Sequence, residues 1–284
     1  MKLKFIVEED KILVKEYLEL KGLSRNLRKK ARIYDVIYIN GQKAKNYFEL
    51  KKNDSLELIF EEEMNDEILI NNALTFDILY EDEYIIVIDK PSGISSQPSR
   101  RHPLDNVISG IKQYFINKGI NSNIHLVNRL DFSTSGLMII AKDGVTHFEF
   151  SKIKIIKKYL CEIEGHITPS EGVINLPIDR YDPPSIKRYV SESGKPSITY
   201  YSVLKRLNDT DIVDVTLGTG RTHQIRVHFS YLNHPLIGDE IYGNRNEYLK
   251  LHCYSLKFEH PWEKNKIIDI KKYPIWMKED LCLE

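Results

Sequence analysis

Two kinds of apolar pattern follow one another along the 284-residue chain. Over residues 11–20, Ile12, Leu13, Tyr17, Leu18 and Leu20 recur at near-helical spacing and Gly22 breaks the run, which predicts a short first helix. Ser24 stands where its hydroxyl can accept from an orphaned backbone amide, so a second helix is expected from Arg25 to about Arg32. Val36-Ile37-Tyr38-Ile39 then leads into Asn40-Gly41, a hairpin signal, because a tight two-residue turn of this kind needs positive φ at both central residues. Ser55 to Phe60 alternates as a half-buried strand does. From Glu61 through Asn72 the apolar pattern lapses into a polar stretch that reads as a linker between two compact units, with the boundary near residue 70.

Beyond it the apolar runs become continuous. Tyr84 to Ile88 ends in Asp89-Lys90-Pro91-Ser92-Gly93, a buried strand entering a loop, and Leu137 to Ala141 has the same form. Tyr159 to Glu164, Ile198 to Leu204, Ile212 to Leu217 and Lys266 to Ile270 read as further strands between Gly, Pro and Asn turns. Helical spacing is clearest over Val107 to Lys118 and Gln224 to Leu232. Many strands and few helices predict an α+β chain with a mixed sheet and helices packed around it, rather than regular βαβ winding. No internal repeat interrupts this pattern.

Composition adds exclusions. With 42% hydrophobic and 29% charged residues the chain is neither disordered nor fibrous. Its apolar runs fall far short of the roughly 20 residues that span a bilayer. Only Phe5, Ile6 and Val7 separate Lys4 from Glu8-Glu9-Asp10, too short for a secretory core, so a cytoplasmic location and no membrane partner are expected. Cys161, Cys253 and Cys282 form a scattered, odd set without zinc spacing and read as reduced thiols.

Charge matters more. Lys and Arg number 41 and Asp and Glu 41, so the net charge is zero and any nucleic-acid footprint has to be local. Lys21, Arg25, Arg28, Lys29, Lys30 and Arg32 supply one such patch with no acid among them, although a solvated helix face is the plainer account of the same residues.

Three polar clusters are candidates for chemistry. Asn128-Arg129-Leu130-Asp131-Phe132-Ser133-Thr134-Ser135-Gly136 is a polar loop between the apolar stretch Ile124 to Val127 and the strand starting at Leu137, where catalytic groups concentrate. Gly218-Thr219-Gly220-Arg221-Thr222-His223-Gln224-Ile225-Arg226 is a Gly-rich turn entering a helix, whose free amides suit an anion. Pro235 to Gly243 places glycines at 238 and 243, where backbone positions that tolerate no side chain are implied. Taken singly, each has an ordinary structural explanation.

Together and in order, these stretches resemble the RluA-type pseudouridine synthases, a family acting on ribosomal and transfer RNA, over nearly the whole chain. Lys90-Pro91-Ser92-Gly93 is similar to the family's Lys-Pro-x-Gly strand end, and Arg129-Leu130-Asp131 with Thr134-Ser135-Gly136 to its catalytic loop. Tyr159, Gly194-Lys195-Pro196 with Thr199, Gly220 to Arg226, and Gly238-Asp239 with Tyr242-Gly243 follow in the family's sequence. Asn128 departs from it, since the family usually has histidine there. The first sixty residues resemble the small RNA-binding domain named after ribosomal protein S four. The resemblance implies a small N-terminal α/β RNA-binding domain over 1–62, a linker over 63–74, and a catalytic domain over 75–284 built on a largely antiparallel sheet.

The reaction so implied breaks the bond from uracil to ribose, turns the base and rejoins it through carbon 5, and it calls for no cofactor and no metal. It needs a carboxylate acting as nucleophile or as proton acceptor at the sugar. By resemblance that is Asp131, with Arg226 as the cation that keeps it charged in a dry site, Tyr159 as the ring that stacks on the extruded uracil, and Arg129 as the side chain that braces the vacated stack. Thr134, Arg221, His223 and Gln224 are the expected substrate contacts, and Arg25, Arg28, Lys29, Lys30 and Arg32 the expected RNA contacts of the N-terminal unit. The expected partner is a structured RNA, ribosomal RNA of the large subunit ahead of transfer RNA, bound by a monomer. Two other readings stand beside this one. A non-catalytic RNA clamp would use the same fold, and a metal hydrolase would use His223, His228, His234 and His252, although no paired Glu accompanies a His-x-x-x-His spacing.

Overall fold

The computed structural model describes residues 2–23, 25–60, 67–244 and 248–277, with the side chain of Asn26 left aside. The first part holds β1 (Lys2–Ile6), β2 (Ile12–Leu13), α1 (Val14–Leu20), α2 (Arg25–Ile33), β3 (Ile37–Ile39), β4 (Gln42–Lys43), β5 (Glu49–Leu50) and β6 (Ser55–Ile59). An antiparallel sheet runs β1-β6-β3-β4. The alternation of β6 turns Leu56 and Leu58 into the core, while Glu57 faces out to pair with Lys2 and Lys4. Asn40 and Gly41 take φ of 51° and 81°, the backbone that a tight hairpin demands.

The first helix starts at Val14 rather than Lys11, because Ile12 and Leu13 are drawn into an antiparallel pair with β5. The expected cap at Ser24 lies outside the described residues. Val7, Val14, Tyr17, Leu18, Ile37 and Leu50 fill a core that Phe148, from the far side of the linker, helps to close. The small unit therefore rests on the helix that carries Phe148.

The remainder holds β7 (Asp77–Glu81), β8 (Ile85–Lys90), α3 (Val107–Asn117), β9 (His125–Leu126), β10 (Ser135–Ala141), α4 (Gly144–Phe150), β11 (Ile156–Glu164), β12 (Glu171–Asn175), β13 (Ile178–Arg180), β14 (Arg188–Val190), β15 (Ile198–Arg206), β16 (Thr210–Leu217), α5 (Gln224–Tyr231), β17 (Leu251–Glu259) and β18 (Ile267–Lys271). Ten of these strands form one sheet in the order β12-β15-β16-β11-β17-β10-β8-β7, with β18 beside β17 and β9 beside β10. Every pair is antiparallel except β10 with β17, so the fold is α+β with a mixed, largely antiparallel sheet. β8 and β10 are interior strands of this sheet, buried on both faces, the reason their sequences are continuous apolar runs. Asn106 starts α3 by accepting from the Ser109 amide at 2.9 Å. Of the expected linker, residues 63–66 lie outside the described residues. The stretch 67–74 is held against α3, where Lys112 donates to the Ile68 carbonyl at 2.8 Å.

The parallel seam has a local requirement. Gly136, at the head of β10, has φ +115°, and a Cβ there would overlap the backbone of Cys253 on β17. Glycine at this point lets the loop before β10 emerge against the centre of the sheet.

Candidate active site

Three loops meet over the middle of the sheet: the turn after β8, the loop between β9 and β10, and the Gly-rich turn entering α5. They enclose a cavity of about 560 Å³, within the range of ligand sites. Asp131 is the one carboxylate among the described residues that line it, and Arg129, Lys157, Arg221 and Arg226 line it too. A chain of zero net charge thus concentrates cations around a single acid.

The loop bearing Asp131 is fastened from below. Asn128 donates to the Leu137 carbonyl at 3.2 Å and accepts from the Ile139 amide at 2.7 Å, so its side chain continues the β9 ladder along β10. In the position where the family it resembles has histidine, an amide satisfies two buried backbone groups at once. The Ser96 hydroxyl accepts from the Leu130 amide at 3.1 Å and donates to the Leu130 carbonyl at 2.6 Å. Ser92 donates to the Ser133 carbonyl at 2.7 Å, and the Thr134 amide donates to the Asp131 carbonyl at 3.1 Å. Lys90 is fully buried and donates to the carbonyls of Pro91 and Ile94, both at 2.9 Å, and of Phe132 at 3.4 Å. Burial pushes its ammonium down to about 7, against the opposing charges of Asp131 and Asp89.

The turn entering α5 is built around Gln224. Its Oε1 accepts from the Thr219 hydroxyl at 2.8 Å and the Arg221 amide at 3.0 Å, while Nε2 donates to the Ile198 carbonyl at 2.9 Å and the Thr199 hydroxyl at 3.0 Å. The expectation that Gln224 binds substrate is therefore corrected: its amide is fully engaged in tying the turn to β15. His223 holds φ +57°, unusual for a residue that is neither Gly nor Asn. Its Nδ1 lies 2.8 Å from the Tyr242 hydroxyl and its Nε2 3.9 Å from Oδ2 of Asp131. Burial lowers its pKa below the usual imidazole value, an effect that Asp131 partly offsets and that Arg226 and Arg188 reinforce.

Arg226 corrects a second expectation. Its guanidinium is forked onto Asp239, Nε to Oδ2 at 2.7 Å and NH2 to Oδ1 at 2.6 Å, both side chains being buried. Asp239 also accepts from the amides of Ile241 and Tyr242 at 2.9 and 3.1 Å. Burial disfavours the charged guanidinium, but the bonds and charge of Asp239 outweigh it and raise its pKa. The cation within 4.0 Å of the Asp131 carboxylate, once protonated, is His223 rather than Arg226. The cavity still brings Arg226 and Asp131 together on its wall.

Tyr159 stands on β11 at an irregularity in its register with β17 and lines the same cavity, 6% exposed. Burial raises its phenol well above the usual tyrosine value, so the ring remains neutral. Arg129 is exposed at the rim and donates to Gln97 at 3.3 Å, and Arg221 is exposed with Nε donating to the Pro196 carbonyl at 3.2 Å. Thr134, expected as a substrate contact, also lines the cavity; it is buried, and its hydroxyl has no partner among the described residues.

Arg25, Lys29, Lys30 and Arg32 are exposed on α2, but Arg28 is bound to Glu19 at 2.7 and 3.0 Å and is not free for a phosphate. Residues that the sequence reading passed over are those holding the others: Lys90, Ser96, Asp239 and Tyr242. Lys90, Asp239 and Tyr242 stood in motifs that could have flagged them.

The histidines of the metal reading are bound apart from one another. His228 contacts Thr199 at 2.8 Å and the Leu176 carbonyl at 3.0 Å, His234 the Glu164 carbonyl at 2.8 Å, and His252 Ser135 at 2.8 Å and the Lys272 carbonyl at 2.9 Å. Asp82, His260 and Glu263 do come together elsewhere. There Nδ1 of His260 accepts from the amides of Trp262 and Glu263, which leaves Nε2 as the donor to Asp82 at 2.9 Å. Asp82 also accepts from the Tyr80 hydroxyl and the amides of Tyr84 and Ile85, so the cluster is a satisfied hydrogen-bond knot.

A pocket that sets one acid among guanidinium and ammonium groups, with a neutral aromatic ring beside it, suits a polyanion. The family model described as RNA pseudouridylate synthase matches residues 84–231, just over half of the chain. The chain belongs to this family and is an RNA pseudouridine synthase, an isomerase. It is 37% identical over 256 residues to "Uncharacterized RNA pseudouridine synthase YjbO" of Bacillus subtilis (strain 168), covering 87% of this chain and 90% of that protein. It is 32% identical over 304 residues to "Ribosomal large subunit pseudouridine synthase D" of Buchnera aphidicola subsp. Schizaphis graminum (strain Sg), covering 95% and 94%. Among solved structures it is similar to Human RNA Pseudouridylate Synthase Domain Containing 1, with a TM-score of 0.59 at 23% identity over 72% of this chain and 86% of that one, a likeness of fold. No helix among the described residues is long and apolar enough to cross a membrane.

Proposed function

We propose that the chain isomerises specific uridines of large-subunit ribosomal RNA, with Asp131 as the catalytic carboxylate. The observation that carries this reading is the position of Asp131 as the sole acid among the described residues lining a cavity to which Arg129, Lys157, Arg221 and Arg226 also contribute. Phosphates entering such a cavity are drawn toward Arg129, Lys157 and Arg221 at its edge, while the acid remains available to the ribose. A base in a stack must be swung out to reach it, at a cost of a few kcal/mol. The neutral ring of Tyr159 offers the extruded uracil a new face, and Arg129 at the exposed rim is placed to brace the gap. Arg226, held by Asp239, contributes its charge from the cavity wall.

The N-terminal unit, residues 1–62, acts in this reading as an RNA-binding domain of the S four kind, joined through 63–74 to the catalytic part, 75–284. Support for it comes from the exposed Arg25, Lys29, Lys30 and Arg32 on α2. Support for the ribosomal target comes from the Buchnera relative, named for the large ribosomal subunit and aligned over 95% of this chain. Mapping pseudouridine in total RNA from cells with and without the protein tests the target. Sites that vanish from large-subunit ribosomal RNA are the expected outcome; losses confined to transfer RNA would overturn the ribosomal assignment and leave the reaction standing.

A further inference from the structure

The wall behind Asp131 contains two linked hydrogen bonds that begin on a different element and end at an imidazole facing the carboxylate. The backbone amide of Arg188, on β14, donates to the Tyr242 hydroxyl at 2.8 Å. That oxygen lies 2.8 Å from Nδ1 of His223, and Nε2 of His223 lies 3.9 Å from Oδ2 of Asp131. With the Arg188 amide on one lone pair, the phenol proton of Tyr242 has the imidazole Nδ1 as its acceptor. Nδ1 then carries no hydrogen, and the neutral ring holds its proton on Nε2, the nitrogen facing Asp131.

We infer that His223 is a positioning residue for the synthase reaction: Tyr242 fixes it as the Nε2–H tautomer, so that it presents a donor, and never a lone pair, to the Asp131 carboxylate. This inference rests on Asp131 being the catalytic acid and replaces the role of substrate contact expected for His223.

Three further observations agree with it. His223 accepts a left-handed backbone at φ +57°, and such strain persists where the surroundings fix a side chain for a task. Burial pushes the Tyr242 phenol up to about 12, so the hydroxyl keeps the proton it donates. Asp131 raises and Arg226 and Arg188 lower the affinity of the ring for a second proton, and with burial the balance leaves it neutral. The 3.9 Å gap is of the kind that tightens when substrate excludes water from a catalytic hydrogen bond.

The test has two arms. Nitrogen-15 spectra of the labelled full-length protein, without RNA, read the His223 tautomer: Nε2–H is expected in the wild type and a mixture in Tyr242→Phe, whose ring still packs on His223 and Arg226. In the second arm, unmodified total RNA from cells lacking the protein is the substrate, and pseudouridine is read at the sites that the wild-type enzyme restores. Tyr242→Phe and His223→Asn, the latter chosen because asparagine tolerates the left-handed backbone, should each lower kcat about ten- to hundred-fold, the range for losing a hydrogen bond to a charged group. KM should stay within about two-fold in both, and the double variant should be no slower than His223→Asn alone, as for residues acting in one unit. An Nδ1–H tautomer in the wild type, a rise in KM at unchanged kcat, or losses that multiply in the double variant would each overturn the inference. Inactivity of the wild type on every RNA would instead strike at the assignment of the activity, leaving the tautomer result to be judged by itself.

Discussion

Replacing Asp239 with Ala removes the carboxylate that grips Arg226, and the structure sets the size of the effect. The guanidinium is 2% exposed and the carboxylate 0%, so the abandoned charge has no water to turn to. Breaking one side of such a buried pair destabilises by about 3 to 5 kcal/mol. The amides of Ile241 and Tyr242 also lose their acceptor, which places the expectation at the upper end. For a chain of this size class that corresponds to a fall in Tm of about 6 to 20 °C. Urea unfolding followed by tryptophan fluorescence and far-ultraviolet dichroism reads the free energy. The same charge argument predicts that Asp239→Ala combined with Arg226→Met recovers most of the loss, because no buried ion then remains unpaired. An Asp239→Ala protein within about 1 kcal/mol of wild type, or a double variant less stable than Asp239→Ala alone, would refute the reasoning.

Other outcomes follow from the same geometry. Gly136→Ala should destabilise by about 3 kcal/mol or more, from overlap with Cys253 and a disallowed φ, and unchanged urea unfolding would contradict this. Burial holds His252 down at about 4, below its unfolded value, so the neutral ring favours folding above about pH 6.5 and that contribution is lost as pH falls from there through 4. Unfolding measured across this window should take up about one proton more in the wild type than in His252→Gln. Removing Lys29, Lys30 and Arg32 together should weaken binding of ribosomal RNA and flatten its dependence on log salt by about 2 to 3. Arg28→Ala should leave that slope nearly unchanged, because Glu19 already holds the guanidinium.

Much of the architecture could be read from the chain because it depends on local pattern. The continuous apolar runs of β8 and β10, the Asn40-Gly41 turn and the helix beginning after Asn106 all express constraints that act within a few residues. What escaped depends on partners distant in sequence. Ile12 and Leu13 fit a helical spacing and were claimed by β5, some 36 positions on. The helix α4 has Gly, Val and Thr in its first turn, poor helix formers, and stands on the two amides capped by Asp143 and on Phe148 buried against the small unit.

At the site the same division holds. The resemblance to the family's motifs marked Asp131, Tyr159, Arg226 and His223, and the cavity unites them. Which acid Arg226 would choose was beyond spacing, since no local pattern links it to Asp239, 13 residues on, and only the fork geometry decides. Gln224 was expected as a substrate contact from the resemblance of Gly220 to Arg226 to the family's motif. Here all four of its bonds close inside the protein.

The most direct measurement compares wild-type and Asp131→Asn proteins at equal concentration on ribosomal RNA from cells lacking the enzyme, following pseudouridine formation and RNA affinity side by side. The account predicts equal affinity within about two-fold and no detectable isomerisation by the variant, since an amide of the same shape can neither attack the sugar nor take its proton. Isomerisation by Asp131→Asn within tenfold of the wild-type rate would contradict it.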